Sequence, residues 1–286
     1  MKKILSILFI LVLILNVSGC FKKDTMEGII IYTTVYPIEY ITNFLYGEHA
    51  EIISIYPSNV DVISYKLTNK QLQDYSQGGL YIYNGLSNEK NYAIEMLNIN
   101  RKLKIIDGAM NMEYSYGMEE LWLDPSNFLM LAQNIKMGFE EYITNPYLKN
   151  EINNNYENIK IKLSEIDAEL NLIARNAENK TLIVSNNVFL FLEKYGFEVI
   201  SLEESALSAR KISDVREMIE KGKIKYIFVK SDQDINDTIT EFINTYEVEL
   251  QPLNTGTNLT EQERQERINF IDVMNKNIDF LQKQVY

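Results

Sequence analysis

Seven apolar side chains, Ile152, Tyr156, Ile159, Leu163, Ile166, Leu170 and Ile173, recur at steps of 4, 3, 4, 3, 4 and 3 residues. That spacing lines them along one face of an α-helix. It predicts a continuous helix of roughly 30 residues, about 45 Å long at 1.5 Å per residue. A single apolar stripe of that length must be covered from end to end. It belongs either to one strand of a coiled coil or to a backbone helix lying against two lobes. The second reading is favoured, because the stripe sits mid-chain between two stretches of a different pattern.

In both stretches, short β-branched and aromatic runs alternate with helical segments. Before the stripe, strands are predicted over 28–34, 50–56, 79–83 and 103–106, and helices over 37–46, 68–76, 88–97 and 127–142. After it, strands are predicted over 181–184, 198–202, 224–229 and 247–253, and helices over 187–195, 213–221 and 236–246. Thr260 opens a closing helix, with Glu263 at the capping-box spacing. Strands alternating with helices imply parallel sheets covered on both faces. The chain is therefore read as α/β, with two βα lobes joined by one long helix. Ligands of such folds bind at the carboxyl ends of the strands.

Composition removes several function classes. The chain of 286 residues has 28 Lys+Arg against 40 Asp+Glu, a net charge of −12. A nucleic-acid partner would call for a basic face and is not expected. One Cys and one His exclude an internal disulfide framework, a thiolate cluster and any site built from several imidazoles. No P-loop, GxGxxG or HExxH motif occurs, and no nucleophile is paired in sequence with a base. An enzyme is not expected.

The start of the chain bears on location. Lys2 and Lys3 precede an apolar run over 4–15, and Val17-Ser18-Gly19-Cys20 follows. The run has the length of a signal-peptide core. The small residues before Cys20 resemble a bacterial lipobox, which implies cleavage before Cys20 and lipidation of its sulfur (diacylglycerol, with palmitate-type chains). Removing 1–19 leaves 26 basic and 40 acidic residues, a net charge of −14. A lipid anchor would tether the folded chain to the extracytoplasmic face of the cell membrane. The expected division is a signal peptide over 1–19, an N-terminal lobe over 20–147, an inter-lobe helix over 148–179 and a C-terminal lobe over 180–286.

Five segments together resemble the zinc- and manganese-specific solute-binding lipoproteins of bacterial ABC transporters. They are Ile31-Tyr-Thr-Thr-Val-Tyr-Pro37, Tyr83-Asn-Gly-Leu86, Trp122-Leu-Asp-Pro125, the segment over 185–196 that begins Ser-Asn-Asn-Val-Phe, and the strand over 224–229. Their order and spacing follow the family's over nearly the whole mature chain. The resemblance implies two four-stranded lobes on one rigid helix, with a divalent cation captured in the inter-lobe cleft. It further implies delivery of that cation to an ABC permease by a monomer, with small lobe movement. Some relatives were named adhesins. The alternative is therefore a surface adhesin or interaction lipoprotein that kept the scaffold and lost metal binding.

The ligand positions depart from the family's pattern. Ile63 stands where the first His would be, in Asp61-Val-Ile-Ser-Tyr65. Glu120 takes the place of a His two residues before Trp122, Asn186 follows Ser185, and Asn254 lies on the last cleft loop. The resemblance thus implies a site of Glu120, Asn186, Asn254 and Asp61. Its donors are all oxygens, which suit Mn²⁺, Ca²⁺ or Mg²⁺ better than Zn²⁺, or no ion at all. Other features are given plain readings: His49 as an exposed turn residue, Glu203-Glu204 as a solvated turn, Met110, Met112 and Met118 as an apolar loop, and Asp124-Pro125 as a helix start.

Overall fold

The computed structural model describes residues 23–286, except Asp232 and Asp234. The expected signal peptide and Cys20 lie outside the described residues.

The first lobe holds four strands, β1 (Ile30–Thr33), β2 (Glu51–Ser54), β3 (Leu80–Tyr83) and β4 (Lys104–Asp107). They form one parallel sheet in the order β2-β1-β3-β4. The second lobe repeats the plan with β5 (Thr181–Val184), β6 (Glu198–Ser201), β7 (Tyr226–Lys230) and β8 (Glu249–Leu253), in the order β6-β5-β7-β8. All its pairings are parallel as well. The expectation of two four-stranded α/β lobes is met. In each lobe the chain leaves its first strand to one side and then returns to the other. The crevice of such a sheet opens at that reversal, beside the carboxyl ends of the strands.

The long helix runs from Pro146 to Asn176. Asn145 caps it through Oδ1, which accepts from the Tyr147 N–H at 2.9 Å. Of the stripe, Ile152, Ile159, Leu163, Ile166, Leu170 and Ile173 are buried. They join a core that includes strands of both sheets. The helix is thus a shared wall of two lobes, and the coiled-coil alternative falls away. A smaller core lies on one face of the second sheet, around Ile183, Val215, Ile227 and Phe242.

Three segments differ from the sequence expectation. Residues Asn187–Tyr195 form a 3₁₀ helix, for which nine residues of mixed apolar spacing give no warning. Glu120–Leu123 forms a short helix just before the next one, Pro125–Tyr142. The closing helix is split into Glu261–Gln265 and Phe270–Val285. Arg267, at φ 57°, turns the chain between them, and Asn269 begins the second piece with a capping box of its own.

Candidate functional site

The residues that follow the strand ends converge between the lobes. The loop Asn59–Ile63 comes after β2, Met118 and Glu119 after β4, Ser231 after β7, and Asn254, Thr255, the stretch from Thr257 to Thr260 and Glu263 after β8. Together they line a cavity of about 480 Å³. The lobes are stitched together around it. The indole N–H of Trp122 donates to the Thr255 carbonyl at 2.8 Å. Tyr36 N–H donates to the Thr257 carbonyl at 2.9 Å. Asn258 Nδ2 donates to the Pro57 carbonyl at 2.8 Å. Phe128 and Phe270 stack face to face with centroids 4.6 Å apart.

The short motifs are now legible as structure. In Tyr83-Asn-Gly, the Gly85 N–H donates to Asp107 Oδ1 at 2.9 Å. A Cβ on residue 85 would fall 1.9 Å from Asp107 Oδ2, so any side chain there would displace the carboxylate that holds the turn. In Trp122-Leu-Asp-Pro, Asp124 caps the following helix by accepting from Ser126 N–H at 2.8 Å. Asp124 also pairs with Lys194 of the second lobe. It therefore starts a helix, as expected, and in addition ties the lobes together.

Two of the four expected site residues share the cavity. Asp61 and Asn254 both line it. Hydrogen bonds from Ser64 and the Ile63 N–H, with the positive charge of Lys230, hold the Asp61 carboxyl below its usual range. Asn254 Oδ1 accepts from Gly256 N–H at 2.8 Å, while its Nδ2 donates to Glu263 Oε1 at 3.0 Å. The other two are engaged elsewhere. Glu120 Oε2 accepts from the Ser115 and Tyr116 N–H groups at 3.0 and 3.1 Å. Asn186 caps the 3₁₀ helix through Val188 N–H at 2.9 Å, and its Nδ2 donates to Gln233 Oε1 at 2.9 Å. Ile63 also lines the cavity and is 71% exposed.

Sequence reasoning missed Glu119, Lys230 and Glu263. Glu119 lines the cavity, and its carboxylate pairs with the Lys230 ammonium of the opposite lobe. Both side chains are nearly buried, at 10% and 12% exposure. Lys230 is further fixed by its backbone, since its N–H donates to Ser185 Oγ at 3.0 Å. The available signal was a lysine closing an otherwise apolar strand at its carboxyl end. Glu263 was recognised only as a cap. Its Oε2 does cap Thr260 N–H at 2.8 Å, and its Oε1 reaches Asn254. Among the described residues, no three of His, Cys, Asp and Glu gather into a group able to hold a metal ion.

Two plain readings also change. His49 is half-buried, and its Nε2 meets Glu151 of the long helix at 2.9 Å. Glu203 is not a free turn residue, because it accepts from Asn187 N–H at 2.8 Å and from Ser205 Oγ at 3.0 Å.

A second cavity, of about 790 Å³, opens within the first lobe and is lined in part by Tyr56, Tyr65, Tyr92 and Tyr114. Glu89 lies at its base with 3% exposure. Its oxygens accept from Asn84 N–H at 2.9 Å and from Tyr56 Oη at 3.3 Å. Burial outweighs these bonds and raises its carboxyl to about 7.

Known proteins place this architecture. The chain is 22% identical over 281 residues to the high-affinity zinc uptake system protein ZnuA of Bacillus subtilis, covering 88% of this chain and 86% of that one. It is 24% identical over 263 residues to the manganese ABC transporter substrate-binding lipoprotein PsaA of Streptococcus pneumoniae, covering 82% and 84%. Its fold matches the Zn(II)-bound ZnuA-like domain of S. pneumoniae AdcA with a TM-score of 0.72 at 21% identity, over 90% of this chain and 99% of that one. A family model described as zinc-uptake complex component A, periplasmic (ZnuA), matches residues 31–284. The chain therefore belongs to the ZnuA family of metal-type solute-binding proteins, which are transporter components and not enzymes.

Proposed function

We propose that this protein is the lipid-anchored, extracytoplasmic receptor of a metal-type ABC transporter, and that it captures a divalent cation in the cleft between its lobes. The observation that carries the reading is the family match over residues 31–284, joined to a cleft at the strand ends lined by Asp61, Glu119, Asn254 and Glu263. These donors are oxygens, so Mn²⁺, Ca²⁺ and Mg²⁺ suit the cleft ahead of Zn²⁺. Relatives carry names for both zinc and manganese. The signal peptide over 1–19, lipidation of Cys20, a permease partner and a monomeric state belong to the same proposal. So does the division into lobes at 20–147 and 180–286 about a helix at 148–179. Among the described residues no helix is long and apolar enough to cross a membrane; the proposed attachment is Cys20.

Titration calorimetry on the metal-stripped chain from Phe21 onward tests the proposal, with Mn²⁺, Zn²⁺ and Ca²⁺ added in turn. Saturable one-to-one binding tighter than about 1 μM, roughly −8 kcal/mol, is expected for Mn²⁺ and is expected to be lost in Asp61→Ala. Absence of binding for all three ions would reject it. A second reading is favoured by one observation, the lack of a three-residue metal-holding group among the described residues. On that reading the scaffold serves as a surface adhesin or interaction lipoprotein, and the same titration decides between the two.

A further inference from the structure

The cavity of about 790 Å³ within the first lobe has the size of a small-molecule pocket. Tyr56, Tyr65, Tyr92 and Tyr114 line it. Three of their hydroxyls are engaged. Tyr56 Oη donates to Glu89 Oε1 at 3.3 Å, Tyr65 Oη accepts from Gln71 Nε2 at 2.9 Å, and Tyr92 Oη donates to the Tyr65 carbonyl at 3.4 Å. The Tyr56 and Tyr65 rings meet edge to face, with centroids 5.9 Å apart. The pocket therefore offers a ligand ring surface more than free hydroxyls. Ile63 and Tyr114 also line it and are 71% and 43% exposed, so apolar surface is left uncovered at its mouth.

The base of the pocket carries charge. The donors that reach the buried Glu89 carboxyl, Asn84 N–H and Tyr56 Oη, are neutral. Glu95 adds a second carboxylate. Among the described residues that line the pocket, the one basic side chain is Lys66, and it is exposed. Aromatic faces attract cations, most strongly where water is excluded. A hard metal ion asks for several oxygens in one shell, and a primary ammonium has three N–H donors to satisfy. A quaternary ammonium has no N–H and asks only for ring faces and a countercharge. We propose that the first-lobe pocket binds a small quaternary ammonium compound against its tyrosine rings, with Glu89 as the countercharge. Burial raises the Glu89 carboxyl to about 7, and a bound cation favours its charged form. This site is separate from the metal-receptor reading and does not depend on it.

The test is titration calorimetry on the chain from Phe21 onward, at about pH 8 so that Glu89 is largely ionised. The probes are choline and its uncharged carbon isostere, dimethylbutanol. Saturable one-to-one binding of choline tighter than about 1 mM is expected. The isostere is expected to bind at least about tenfold more weakly, because it lacks the charge that the rings and Glu89 answer. Tyr65→Leu and Tyr114→Leu are each expected to weaken choline by roughly three- to tenfold. Glu89→Gln is expected to weaken choline by about tenfold and to leave the isostere unchanged. Should Tyr65→Leu not fold, the exposed Tyr114 carries the aromatic comparison. Failure of choline to bind the wild-type chain would overturn the proposal. So would equal binding of choline and the isostere, or a choline affinity that none of the three substitutions changes. Metal binding is decided by its own titration, so failure of this pocket and failure of the receptor reading are distinguishable.

Discussion

The two lobes share one strand order and differ in what closes the crevice at the end of their third strand. In the first lobe, β3 runs into Asn84-Gly85, and the lobe's own Glu89 fills the space behind the turn. In the second, β7 ends on Lys230, whose partner Glu119 belongs to the other lobe. The first arrangement is complete within its lobe and is eased by protonation, because burial raises the Glu89 carboxyl to about 7. The second is complete only when the lobes meet. One topology therefore supports both a self-contained crevice and a crevice that works as an interface.

The largest test of this difference is to break the inter-lobe pair from one side. Glu119→Ala removes the carboxylate that the nearly buried Lys230 ammonium meets across the lobes, and a loss of about 1–3 kcal/mol in urea unfolding is expected. Glu119→Leu combined with Lys230→Met removes both charges and is expected to recover most of that loss. Were the single change to cost less than the double, the pair would not be holding the lobes together.

The first lobe is tested through pH. A carboxyl whose folded pKa is raised binds more protons when folded. Stability should therefore fall as pH rises from about 4.5, the unfolded value, to about 7, and then level off. The span of the fall is on the order of 3 kcal/mol. Glu89→Gln keeps an acceptor for Asn84 N–H and should flatten that part of the profile. A profile unchanged by the substitution would remove Glu89 from the comparison.

Smaller effects sharpen the picture of how the lobes are held. Arg264 of the second lobe forks onto Glu39 of the first, at 2.9 and 3.0 Å. The same guanidinium lies over the Tyr36 ring, 5.6 Å from its centroid. Arg264→Lys keeps the charge but loses the fork and the planar contact, and a cost of about 1–2 kcal/mol is expected by thermal unfolding. Asn269→Ala removes the cap of the final helix, for about 1 kcal/mol. Its effect should be equal with and without metal, whereas the Arg264 effect should change if the lobes shift on loading.

The scaffold was legible in the sequence because its signals are long or redundant. Six of the seven stripe residues are buried, and Tyr156 is half-buried. Each predicted strand corresponds to a paired one. What periodicity could not convey was local. A nine-residue segment does not distinguish a period of 3.0 from 3.6, so the spacing over Asn187–Tyr195 predicts only a generic helix. The break at Arg267 rests on a single left-handed residue. The site was harder for a geometric reason. Counting back from Trp122 singles out Glu120, yet one residue along a helix turns the side chain by about 100°. Glu119 therefore faces the cleft, and Glu120 closes the loop behind it. Asp61 and Asn254 reach the cavity because they sit on loops that follow strands, where position alone brings them to it.

Asp24 bears on the proposed lipid anchor. Its Oδ2 accepts from Thr144 N–H at 2.8 Å, Thr144 Oγ1 at 2.9 Å and Asn145 N–H at 2.8 Å, so the first described turn is buckled to the foot of the long helix. Cys20, the proposed lipid site, lies four residues earlier. At about 3.5 Å per residue the leash between lipid and buckle spans at most ~14 Å. A receptor tied so short would not roam over the membrane at the end of a string. It would stand on it, with the start of its longest helix as the foot.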